Sequence, residues 1–63
     1  MINEYELERM KTLIGRMDGR HSDAVLKAIM KEYSCGPVKA GHMLHEAVRL
    51  GVARLDGLKV KKT

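Results

Sequence analysis

Residues 52–63 read VARLDGLKVKKT, and whether they form a hairpin, a helix or a tail separates the candidate architectures. Asp56-Gly57 stands between short flanks that mix apolar and charged residues, the pattern of a two-residue β-hairpin turn. A type I′ turn centred on Asp56-Gly57 sets Leu55 opposite Leu58 and Ala53 opposite Val60 on one side. Arg54 and Lys59 then face each other on the opposite side. Like charges so placed repel mildly, unless that face meets something negative. The competing readings are an irregular basic tail and a fourth helix; Gly51 and Asp56-Gly57 count against the helix. Residues 60–63 are expected to trail off as a flexible tail.

The same stretch carries the charge imbalance. Residues 1–46 hold seven Lys/Arg against seven Asp/Glu, whereas residues 47–63 hold Arg49, Arg54, Lys59, Lys61 and Lys62 against Asp56 alone. The formal charge of +4 is therefore a basic end, the footprint expected of a protein that meets nucleic acid or an acidic partner.

Upstream, three helices are expected near 3–17, 22–33 and 37–50. Asn3 and Glu6 have the spacing of a capping box, and Leu7, Met10, Leu13, Ile14 and Met17 follow one helical face, leaving Arg9 and Arg16 for solvent. Asp18-Gly19 ends that pattern. Ser22 is the expected N-cap of the second helix, which carries a wide stripe that includes Val25, Ile29 and Met30. His21 is read as a loop residue. Ser34-Cys35-Gly36-Pro37 stops the helix, and Pro37 suits the first position of the third. There Val38, Gly41, Leu44, Ala47 and Val48 are expected inward, with Met43 and Leu50 beside them and Gly41 where another helix approaches. The expected fold is mainly α: three short helices and a C-terminal hairpin or basic tail, in one domain over 1–63.

A chain of 63 residues has a thin core, and one cysteine, Cys35, forms no internal disulfide. Helices one and two carry more apolar surface than a short third helix covers, so a homodimer through Leu7, Met10, Ile14, Val25, Ile29 and Met30 is expected. No stretch has the length of a membrane span, and the opening MINEYELERMK is too acidic for a secretory signal; a cytoplasmic location is expected. His42 and His45 lie at i,i+3, with Cys35 or Glu46 as conceivable partners for a metal. Structural zinc wants four ligands, usually with more than one cysteine, so no metal or other cofactor is assigned. Cys35 and the histidines lie too close along one helix to make a nucleophile–base pair, and no enzymatic activity is assigned.

EAVRLGV, residues 46–52, resembles the first helix and turn of a helix-turn-helix, with Ala47, Leu50, Gly51 and Val52 in place. Glu46 and Gly57 depart from that pattern. Residues 22–62 are more similar to winged helix-turn-helix domains, in which helices precede a short hairpin whose basic residues touch phosphates. That resemblance makes 37–50 the recognition helix and 52–61 the wing. It implies a small DNA-binding regulator of prokaryotic or phage type. Lys39, His42, His45 and Arg49 would then face the groove of double-stranded DNA, and Arg54, Lys59, Lys61 and Lys62 its backbone. The alternative is a homodimeric helical interaction module that modulates a host or partner protein through a Met-rich face.

Overall fold

The computed structural model describes residues 3–63, so Met1 and Ile2 of the expected domain lie outside it. Helix α1 spans Glu4–Arg16, and its start follows from Asn3, whose side-chain oxygen accepts from the Glu6 amide at 2.8 Å. Gly19, at φ +79°, turns the chain into a two-residue strand β1, Arg20–His21. Helix α2 covers Ser22–Tyr33 and α3 covers Pro37–Arg49, with Gly36 as N-cap and Pro37 as first residue. Strands β2 (Ala53–Asp56) and β3 (Lys59–Lys62) close the chain as a hairpin. The fold is mainly α, three helices followed by an antiparallel hairpin.

Strand β1 enlarges the hairpin into a sheet of order β1-β3-β2. Arg20 pairs with Val60 and His21 with Lys59. The Gly19 amide donates to the Val60 carbonyl at 2.8 Å, and the Ser22 amide to the Leu58 carbonyl at 2.7 Å. This changes the cap of α2. His21, held extended by its pairing, takes the N-cap place expected of Ser22, and its Nδ1 accepts from the Asp23 amide at 3.0 Å.

The hairpin register also differs from expectation. Asp56 pairs with Lys59, Leu55 with Val60, Arg54 with Lys61 and Ala53 with Lys62. The turn residues are thus Gly57 and Leu58. Gly57 has φ +63°, and among the described residues Ser34 is the only non-glycine at positive φ, so the turn has the glycine-first form of type II′. The type I′ alternative needs Asp56 in the left-handed region, which glycine enters at far lower cost. Partners move by two residues, so each side chain keeps its expected face.

The core gathers Met10, Ile14, Val25, Ile29 and Val60, all fully buried, together with Leu13, Ala40, Met43, Leu44, Ala47 and Ala53. Of the residues that motivate a homodimer, Met10, Ile14, Val25 and Ile29 are covered within the single chain, where β3 packs on both α1 and α2 and brings Val60 inward, while Leu7 and Met30 are half-buried. Residues 60–63 are no loose tail: β3 runs to Lys62, whose amide donates to Asp18 Oδ1 at 2.9 Å, and the Thr63 hydroxyl donates to the Gly51 carbonyl.

Helix α3 is rotated relative to expectation. It buries Ala40, Met43, Leu44 and Ala47, while Val38 is 73 % exposed. Ala40 and Ala47 are fully buried on the side where α3 packs against the rest of the fold, and their small size, which a hydrophobicity ranking hides, suits a close approach there. Gly41 is no close-approach point among the described residues: a Cβ placed there meets none of their atoms within 4 Å.

Candidate nucleic-acid interface

Burying the Ala40–Ala47 side of α3 leaves its opposite side to solvent, and that side carries Val38, Lys39, His42, His45 and Arg49. The spacing of Val38, His42, His45 and Arg49 is that of one helical stripe. His42, His45, Glu46 and Arg49 line one depression on it. Arg49 is less available than the sequence implies. Its Nε donates to Glu46 Oε1 at 3.1 Å and its Nη2 to Oε2 at 2.8 Å, a two-pronged pairing along the helix. That fork holds the Glu46 carboxyl below its ordinary pKa.

The second cationic surface is the outer face of the hairpin. Side chains alternate along a strand, so the pairing sets Arg54, Asp56, Lys59 and Lys61 on the face away from the core, opposite buried Ala53 and Val60. Lys61 Nζ lies 3.1 Å from Asp56 Oδ2, and this bond depresses the Asp56 pKa. Arg54 and Lys61 stand cross-strand as like charges, the arrangement expected of Arg54 and Lys59 but carried by a different pair. Lys62 belongs elsewhere: it sits on the alternate side of β3 and lines a second depression with Lys11, Leu50, Gly51 and Val52.

Among the described residues, Lys39, Arg54, Lys59 and Lys62 make no ion pair, whereas Arg49 and Lys61 each have a carboxylate partner. The sequence could not separate these groups, since both carboxylates count equally in a charge sum. No group of three or more His, Cys, Asp or Glu suited to a metal occurs among the described residues. Cys35 is half-buried and packs against the core. The Met-rich face that the alternative reading requires is largely internal, with Met10 and Met43 buried and Met17 and Met30 packed against the core. No helix among the described residues is long and apolar enough to cross a membrane.

Sequence reasoning missed Val38, assigning it inward; its high exposure on the same stripe as His42 makes it a surface residue of this face. In comparisons with known proteins, no family model, no curated protein and no solved structure matches the chain.

Proposed function

We propose that this chain is a non-enzymatic regulator that binds double-stranded DNA, with the outer stripe of α3 in the major groove and the outer face of the β2–β3 hairpin against the sugar-phosphate backbone. The observation that carries the reading is the set of cations without partners on these two elements: Lys39 on α3, Arg54 and Lys59 on the hairpin. Arg54 and Lys59 share their face with Asp56, whose carboxylate is taken up by Lys61, so the face keeps an excess of positive charge that a phosphate backbone would neutralise.

The hairpin is also held in place for that task. Its β3 strand is central in the sheet, pinned by β1 on one side and β2 on the other, and anchored by Val60 in the core. A surface fixed before binding loses little freedom on binding. In this reading Lys39, His42 and His45 influence base preference. Arg54, Lys59 and Lys61 act on phosphates, and Lys62, on the other side of the strand, contributes less.

The test is a titration against duplex DNA at low and at physiological salt, for the native chain and for the double substitution Arg54→Gln/Lys59→Gln. The native chain is expected to bind with a negative log-log salt slope, reduced by about 2 in the variant, roughly 0.9 for each phosphate no longer neutralised. Truncation at Gly51 is a poor control, because it removes Ala53 and Val60 from the core. No binding by the native chain at low salt overturns the proposal.

A further inference from the structure

Val38 on the outer side of α3 and half-buried Gly41 at its flank both work against the helix and find no use inside the fold. Among the described residues Val38 is the most exposed of the large hydrophobic side chains, is absent from the core and its packed periphery, and is β-branched, a type that α-helices disfavour. Gly41, one turn on, costs about 1 kcal/mol of helix propensity relative to alanine. Among the described residues, nothing occupies the space where its side chain would be. At i,i+3 the two are neighbours, so the helix presents an isolated apolar branch beside a notch where its backbone is open.

The surroundings narrow what fits there. Lys39, His42 and His45 flank the pair, all exposed, so this is no contiguous apolar patch of the kind that docks a protein. The complement is a surface that is anionic overall, closely approachable, and dotted with small apolar groups. The major groove of duplex DNA has that character, its small apolar groups being the thymine C5-methyls. Resting on the DNA-binding reading, we infer that Val38 is a specificity-determining residue that contacts a thymine methyl, with Gly41 providing the clearance for the base edge to come near.

The experiment first selects preferred duplexes from a random library with the native chain. Each thymine of the selected site is then replaced by deoxyuridine, which removes the methyl and nothing else. Removal at one or two positions is expected to weaken native binding about four-fold, the value of one buried methyl. In Val38→Ser, and in the larger polar Val38→Asn, neither of which carries a methyl, the penalty for uracil should vanish while circular dichroism stays native. Gly41→Ala should raise thermal stability yet weaken binding to the selected site, an opposition that a purely structural role for Gly41 does not produce. Equal uracil penalties in the native chain and both Val38 variants, or no penalty in any, overturn the inference while leaving DNA binding standing. Failure of the native chain to bind any duplex at low salt overturns both, and leaves a protein as the occupant of the stripe.

Discussion

Arg9 reaches Glu32 across 23 positions of sequence, its Nη2 donating to Glu32 Oε2 at 2.8 Å and to the Glu32 carbonyl at 3.2 Å. The same guanidinium lies 4.7 Å from the centroid of the Tyr33 ring and 5.7 Å from that of Tyr5. The Tyr33 hydroxyl in turn donates to the Glu6 carbonyl at 3.1 Å. These contacts clasp the start of α1 to the end of α2, at the edge of a core without Phe or Trp. Arginine suits the place because its flat guanidinium stacks on rings while its edge donates, which an ammonium cannot do.

Arg9→Lys is accordingly expected to behave like Arg9→Met, with both lowering the melting temperature. A double-mutant cycle of Arg9→Met with Tyr33→Leu should give a coupling energy clearly above zero. Tyr33→Phe, which removes only the hydroxyl, should cost about 0.5–1.5 kcal/mol in denaturant titration. Simple additivity in the cycle would show the clasp to be incidental.

Acid should undo the clasp from the carboxylate side. The hydrogen bond from Arg9 holds Glu32 below its ordinary pKa, with desolvation opposing and the charges of Arg9 and Arg16 assisting. A depressed folded-state pKa means that the stabilisation is fully present above the unfolded value and is lost as pH falls through the folded one. The difference in stability between the native chain and Glu32→Gln should therefore be largest near neutral pH and shrink below the usual carboxylate range. Paired melting curves from pH 7 to pH 2 test this, and a constant difference refutes it.

The helix limits were readable because each rests on local chemistry: Asn3 as a cap, Gly19 and Gly51 as left-handed stops, Pro37 as a first residue. What escaped depends on partners distant in sequence. Strand β1 is two residues long and has no period to read; it exists because β3 offers a free edge. Without Val60 in view, the burial of Met10, Ile14, Val25 and Ile29 within one chain was not legible. The rotation of α3 turned on two alanines whose value lies in being small. The cations of the candidate site were all visible, but which of them lack partners was settled by Glu46 and Asp56 reaching particular neighbours.

Val60→Ala should destabilise the whole chain by about 2 kcal/mol, the sum of lost burial and the cavity left behind. The effect should appear as one cooperative transition in which helix and near-C-terminal probes melt together. A local change at the hairpin, with the helical signal unmoved, would return residues 60–63 to the status of a tail.

Gly15 offers a stability test with no binding consequence. It lies exposed within α1, and a Cβ there meets nothing within 4 Å among the described residues. Gly15→Ala is expected to stabilise the chain by about 1 kcal/mol through helix propensity alone. DNA affinity should not change, since α1 carries none of the proposed contacts; a changed affinity would place the interface on α1 instead.

Glu46 provides the sharpest test of the electrostatic argument. Its carboxylate lines the depression with His42, His45 and Arg49 on the side of α3 proposed to meet DNA and holds Arg49 in a fork, so in that reading it both repels phosphate and occupies a cation. Glu46→Gln removes the charge, weakens the fork and frees Arg49 to reach the backbone. Affinity for duplex DNA at moderate salt should rise, and the salt slope should steepen by about 0.9 as one more phosphate is neutralised. Arg49→Gln should change the slope little in the native background, because the arginine is already paired, but should cancel the gain in the Glu46→Gln background. Titrations of the native chain, both single variants and the double variant make the comparison within one cycle. An Arg49→Gln effect as large in the native chain as in Glu46→Gln would mean that the fork opens freely on binding, and that the intrahelical pair does not regulate the cation.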